Sequence, residues 1–227
     1  VSPGRVRDTW IQAPANPLAS ASSLQTAATR SAGSAVRVMI WFTLAVASVI
    51  FQVFEYSAGQ PPLNILLAIS VPIVLFGVLY TTNRAFRGWA LSLDMRHLVL
   101  LHSLRMVGMG FVFLYFQDRL PALFAFPAGI GDAMAAVGAL FLGIAMYEGG
   151  KAISNRLIWR WNTFGLIDFI VAVSMGVLTR SGEIFYLPTQ AGSDIMSTFP
   201  LGVIPGFFVP FFIITHLIIY AQLRRQS

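Results

Sequence analysis

The chain has 227 residues; 56% are apolar, only 11% are Asp, Glu, Lys or Arg, and the mean hydropathy is +0.73. A soluble domain carries about 25% charge, so the composition excludes an ordinary soluble fold. It has no cysteine, which excludes disulfides, thiolate nucleophiles and Cys-ligated metals.

The expected fold is all-α. Residues 1–35 read as an N-terminal cytoplasmic tail and 36–227 as an integral membrane bundle of six transmembrane helices. The spans fall at about 36–56, 63–82, 94–116, 130–149, 158–178 and 200–223, each having roughly the 20 residues needed to cross the hydrocarbon. The pI near 10.3 would suggest nucleic acid in a soluble protein. Here topology explains it. Of fifteen Arg and Lys residues, twelve fall on one side of the six-span arrangement, Arg119 and Arg180 on the other, and Arg105 inside a span. Cytoplasmic loops collect positive charge, so both termini are expected in the cytoplasm. The bilayer is the expected partner, and no nucleic acid is.

The first 35 residues are rich in Ser, Ala and Pro, with Arg5, Arg7 and Arg30 against the single acid Asp8. Trp10 and Ile11 suit a tail lying on the membrane surface or docking on a partner subunit. The Arg/Ser-rich composition also fits a transit peptide, which would place the chain in an organellar membrane. Gln52 and Glu55 sit at the outer end of span 1, where an acid is cheaply solvated. Gly59-Gln60-Pro61-Pro62 then forces spans 1 and 2 into an antiparallel hairpin. Span 2 carries Pro72, which frees a carbonyl and favours a kink. The following loop, with Asn83, Arg84, Arg87 and Trp89, reads as a basic, aromatic interface anchor.

In span 3, His97, His102 and Arg105 interrupt a Leu/Val/Met run, and His102 and Arg105 share a face. Gly108 and Gly110 permit close packing. Asp118 to Pro127 is too apolar for a solvated loop and reads as an interfacial or shallow re-entrant segment. It leads to Asp132 in the first turn of span 4, at the outer mouth, where an acid complements the helix dipole. Gly131, Ala135, Ala139 and Gly143 form a small-residue stripe for tight helix packing. Glu148 and Lys151 read as a solvated inner end.

Span 5 carries Asn162 and, at its middle, Asp168. The 179–199 loop is the longest connection, suited to a lid or to docking other membrane subunits. Pro205, Gly206 and Pro210 predict a bent or broken span 6, a frequent way of building an intramembrane site. His216 follows.

Arg105 and Asp168 are the most informative residues, because an intramembrane charge is expensive and is usually paired and interior-facing. Arg105 lies 11 residues up span 3 and Asp168 lies 10 residues up span 5. At about 1.5 Å per residue both are roughly 15–16 Å deep, so a guanidinium–carboxylate pair is the expected arrangement. It is either a structural clasp or a gate, proton site or ligand anchor. By the same arithmetic His102 and His216 are level, roughly 10–12 Å deep. That permits two axial ligands to a haem b between spans 3 and 6. A metal-hydrolase site would draw on His102, His216 and Asp132 or Asp168, but no compact ligand motif supports it. Phosphate loops, Ser–His–Asp order and Walker-type signals are absent, so no catalytic residues are assigned.

The strings Leu120-Pro121, Phe124-Ala125, Pro127-Ala128-Gly129 and Gly131-Asp132 resemble a pattern in an uncharacterised family of small bacterial multi-pass inner-membrane proteins. So do Trp161-Asn162, Gly165-Leu166, Asp168, Pro205, Pro210 and His216. The resemblance covers about residues 100–220, implies a bacterial inner-membrane location and carries no activity with it.

The expected function is a multi-pass membrane protein, more a binder or conductor than an enzyme, with a polar interior for a small solute or protons. Arg105 and Asp168 anchor the site, Asn162, His102 and His216 line its inner half, and Asp132 its outer mouth. The alternatives are a non-catalytic accessory subunit of a larger membrane complex and a haem b redox protein. No cofactor is expected outside that last reading.

Overall fold

The computed structural model describes residues 17–56, 60–148 and 153–226. Expectations for Arg5, Arg7, Asp8, Trp10, Ile11, Gly59 and Lys151, and for the Arg30 and Glu148 side chains, lie outside the described residues. Among the described residues every regular element is helical.

The chain forms two compact units, residues 1–43 and 44–227. Helix α1 (Pro17–Ile50) starts with Pro at a position where its missing N–H costs nothing. Its part in the first unit exposes Val36, Met39 and Ile40.

The second unit takes α1 from Leu44 onward and then α2 (Leu63–Thr82), α3 (Arg84–Ser92) and α4 (Met95–Leu101). A 3₁₀ stretch (His102–Gly108) joins α4 to α5 (Met109–Phe116). Next come α6 (Ala122–Glu148), α7 (Asn155–Leu178), a short 3₁₀ turn (Ser193–Ser197), a π-turn (Ile204–Phe208) and α8 (Val209–Gln226). Six stretches are long and apolar enough to cross a membrane: Gly33–Ile50, Leu63–Thr82, Met95–Phe116, Ala122–Tyr147, Asn155–Leu178 and Ile204–Arg225. Large apolar side chains such as Val74, Phe141 and Ile170 stand exposed on them, as lipid-facing residues do.

Span 1 ends six residues before the expected position 56. Gln52 adopts a left-handed φ of 59°. Its N–H donates to the Val49 carbonyl (3.0 Å) and the Val53 N–H donates to Ser48 (2.9 Å). This pair of bonds is the Schellman stop, which normally uses glycine. Asp118 (φ 56°) closes span 3 in the same way, with the Arg119 N–H donating to Leu114 (2.9 Å). Since a side chain in this region costs roughly 1–2 kcal/mol, Gln52→Gly is expected to stabilise the protein by about 0.5–1 kcal/mol after the unfolded-state entropy of glycine is counted. Thermal unfolding in detergent measures it, and a lower midpoint would contradict it.

Span 4 begins eight residues before the expected position 130. The segment read as interfacial or re-entrant is the first part of α6, because Pro121 precedes the helix and Pro127 lies within its first two turns. A proline there removes few helical bonds. Span 2 remains one helix through Pro72. The basic aromatic loop is the amphipathic helix α3: Asn83 caps it by accepting from the Phe86 N–H (3.0 Å), Ala90 is buried, and Arg84 faces out. Asp94 caps α4 by accepting from the Arg96 N–H (2.9 Å), and the hydrogen bond from the Arg96 side chain holds its carboxyl below the usual range. Span 6 opens with a π-turn that holds Pro205 and runs without a gap into α8, so that Ile204–Arg225 is one apolar stretch.

The connections α2–α4 and α6–α7 and the end of α8 share one side, called the near side. There Phe76, Val99, Leu142, Ile158, Trp161 and Ile219 form one apolar core. Phe111, Leu120, Phe124, Ala125 and Ala128 form a second, on the far side. Along span 3, α6 and α7, the residues between these two cores are the polar ones.

Candidate functional site

The 3₁₀ geometry of His102–Gly108 brings residues three apart into one row. His102, Arg105 and Gly108 are all buried on it. Arg105, 1% exposed at its side chain, sits where spans 3, 4, 5 and 6 meet. Its Nε donates to Asp132 Oδ1 (2.7 Å) and its Nη2 donates to Asp168 Oδ2. Its Nη1 lies 3.4 Å from both the Gly165 carbonyl and His216 Nε2. The guanidinium also lies over the Phe169 ring, 4.0 Å from its centroid, a cation–π contact.

The partners of the two histidines set which ring nitrogen donates. Asn162 Nδ2 donates to the His216 carbonyl (3.1 Å), so its Oδ1 faces His216 Nδ1 (2.7 Å) and accepts from it. His216 Nε2 is then a lone pair turned to Arg105. Thr215 donates its one hydroxyl proton to the Phe212 carbonyl (2.7 Å), so its oxygen accepts from His102 Nε2 (3.0 Å). His102 Nδ1 is left buried without a hydrogen-bond partner. The two imidazole rings lie directly against each other, centroids 4.0 Å apart and planes tilted by 31°.

All six residues singled out in the sequence converge here. The expected Arg105–Asp168 contact is present. Asp132 is the correction: it belongs neither to a first turn nor to an outer mouth. Because α6 starts at Ala122, Asp132 is ten residues into the helix, roughly 15 Å along it, at the depth of Arg105. His97 is elsewhere, exposed near Asp94.

The glycines were legible only as packing residues. In the fold they make room for charge. A Cβ on Gly108 would overlap the Asp132 carboxyl, one on Gly131 the Asp168 carboxyl, and one on Gly165 would lie 2.6 Å from the His216 ring. The rest of the small-residue stripe does pack helices: Ala135 and Ala139 are fully buried, and the Ala135 carbonyl accepts from Trp161 Nε1 (2.9 Å).

Arg105 and Asp132 also line one end of a cavity of about 270 Å³. Its walls are apolar, from Ile65, Ile69, Val173, Phe208 and neighbours, and its other end reaches Tyr56, Arg180 and Ser193. The long connection beyond α7 folds over that far end. Ser193 Oγ donates to the Gly176 carbonyl (2.6 Å), and the Ser181 N–H and Oγ donate to Asp194 (3.0 and 2.7 Å). Tyr56, Arg180 and Ser193 carried no signal in the sequence, because only folding sets them around one space.

The family described as "Domain of unknown function (DUF8737)" matches residues 62–224. The chain belongs to this family. The matched region holds every residue of the Arg105 cluster and, of the six apolar helices, all except the first. No curated protein and no solved structure matches the DUF8737 chain. Among the described residues no three His, Asp or Glu side chains are placed to share a metal ion.

Proposed function

We propose that this DUF8737 protein holds a small solute in this cavity, next to a proton-exchanging site made by Arg105, Asp132 and Asp168. One observation carries the reading: a single guanidinium is divided between two carboxyls, and the cavity reaches that guanidinium and one of them. With both histidines neutral, two ionised carboxylates against one arginine leave one uncompensated negative charge. Such a charge is costly in a low-dielectric interior, so the pair keeps one proton between them.

The near side is the cytoplasmic one on this reading, because Arg84, Arg87, Arg96, Arg156, Arg160, Arg224 and Arg225 lie there. The location is a bacterial inner membrane. The direct contact of the His102 and His216 rings, 4.0 Å between centroids, weighs against the haem reading, which needs a porphyrin between them. The accessory-subunit reading has no comparable geometric support.

Infrared titration in lipid nanodiscs tests the proposal. A carbonyl band of a neutral carboxylic acid is expected near pH 7, bleaching as the pH rises. Asp168→Asn and Asp132→Asn should each abolish it, because the remaining carboxylate is then balanced by Arg105. A wild-type protein without a titrating carboxyl band overturns the proton site.

A further inference from the structure

The far end of the cavity has a chemistry of its own. Arg180 lies two residues beyond Leu178, the last residue of α7, and is 2% exposed. Its guanidinium stacks on the Tyr56 ring at 3.5 Å, and Nη2 donates to the Gln60 carbonyl (2.9 Å). Among the described residues Nε and Nη1 have no hydrogen-bond acceptor. The nearest carboxylate, Glu183, is 3.6 Å from Nη1, beyond hydrogen-bond distance, and its side chain is 28% exposed. Asp194 is occupied by Ser181. A buried cation with unused donors is expensive to keep, and this one lines a cavity. Burial raises the Tyr56 phenol above its ordinary value, so its hydroxyl stays neutral beside Arg180.

We infer that Arg180 is the headgroup site for an amphiphile with an anionic oxygen group and one apolar chain. The headgroup accepts from Arg180 Nε and Nη1. The chain runs past Ile65, Ile69, Val173 and Phe208 toward Arg105 and Asp132. From Asp168 to Leu178 is ten residues of one helix, so the corridor is roughly 15 Å long, a length suited to a single acyl chain. Glu183 gives way at the small cost of a partly exposed ion pair. The inference rests on the reading of the cavity as a solute site and adds the class of solute.

The test uses the whole chain in nanodiscs of zwitterionic lipid, titrated calorimetrically with dodecanoate, dodecanol and acetate. Dodecanoate should bind saturably, one per chain, about tenfold or more tighter than dodecanol, and acetate should not bind measurably. Arg180→Gln should lower dodecanoate affinity about tenfold and leave that of dodecanol unchanged. Val173→Trp, which fills the corridor, should weaken both. Equal wild-type affinities for dodecanoate and dodecanol overturn the headgroup assignment and leave the cavity as a solute site. No binding of either amphiphile by wild-type protein overturns the solute class as well. The proton site is judged separately by its infrared band.

Discussion

Arg105→Leu is expected to destabilise the protein by about 3–5 kcal/mol, the typical consequence of removing one partner from a buried ion pair. Here the removed partner is shared, so Asp132 and Asp168 are both stranded in one act. Asp168→Leu should cost much less, about 1–2 kcal/mol, close to one hydrogen bond to a charged group, because Asp132 still balances Arg105. The triple replacement of Arg105, Asp132 and Asp168 by Leu should recover most of the Arg105→Leu loss, since no unpaired charge remains. Unfolding in mixed micelles measures all three variants. Equal losses for Arg105→Leu and Asp168→Leu would show that the guanidinium is not shared. The same asymmetry separates a two-partner clasp from the simple Arg105–Asp168 pair that depth arithmetic suggests.

The second large effect comes from a residue with no polar atom in its side chain. Gly131→Ala should cost about 1–3 kcal/mol, the usual range for overpacking, because its methyl group would overlap the Asp168 carboxyl. In an Asp168→Ala background the same change should be neutral or stabilising by up to about 1 kcal/mol, the ordinary advantage of Ala over Gly inside a helix. The reversal of sign is the diagnostic, because contacting residues couple and distant ones add. A cost that persists in the Asp168→Ala background would mean that Gly131 serves helix packing alone. The infrared band should also respond: Gly131→Ala pushes the Asp168 carboxyl off Arg105 and so shifts the titration of the pair.

Several levels of this protein are written locally and could be read without the fold. Span number follows from apolar run length, because crossing hydrocarbon requires about 20 residues whatever the neighbours are. The meeting of Arg105 and Asp168 follows from their expense and equal depth. The irregular start of span 6, a π-turn that holds Pro205, is where its prolines at 205 and 210 place it, because they act on their own backbone. Where the reading failed, the deciding interaction was local but ambiguous. Asp118 to Pro127, too apolar for a solvated loop, suggests an interfacial segment, yet an apolar run also suits a helix, prolines are tolerated near a helix start, and the eight residues gained by α6 moved Asp132 from a rim to the centre.

Other features had no local cause to detect. A glycine needs the same sequence context whether it admits a neighbouring helix or a neighbouring carboxylate, so Gly108, Gly131 and Gly165 declared their role only when spans 3 to 6 were packed together. The sharing of Arg105 between two acids, the tautomers of His102 and His216, and the unpaired donors of Arg180 are likewise properties of assembly. Run length, cost and backbone irregularity are one-dimensional quantities, and the sequence by itself determined six membrane-length apolar helices and, midway along one of them, the charge of Arg105. How many partners that charge has, and what space lies beside it, depend on side chains far apart in the chain, and those only the tertiary structure decided.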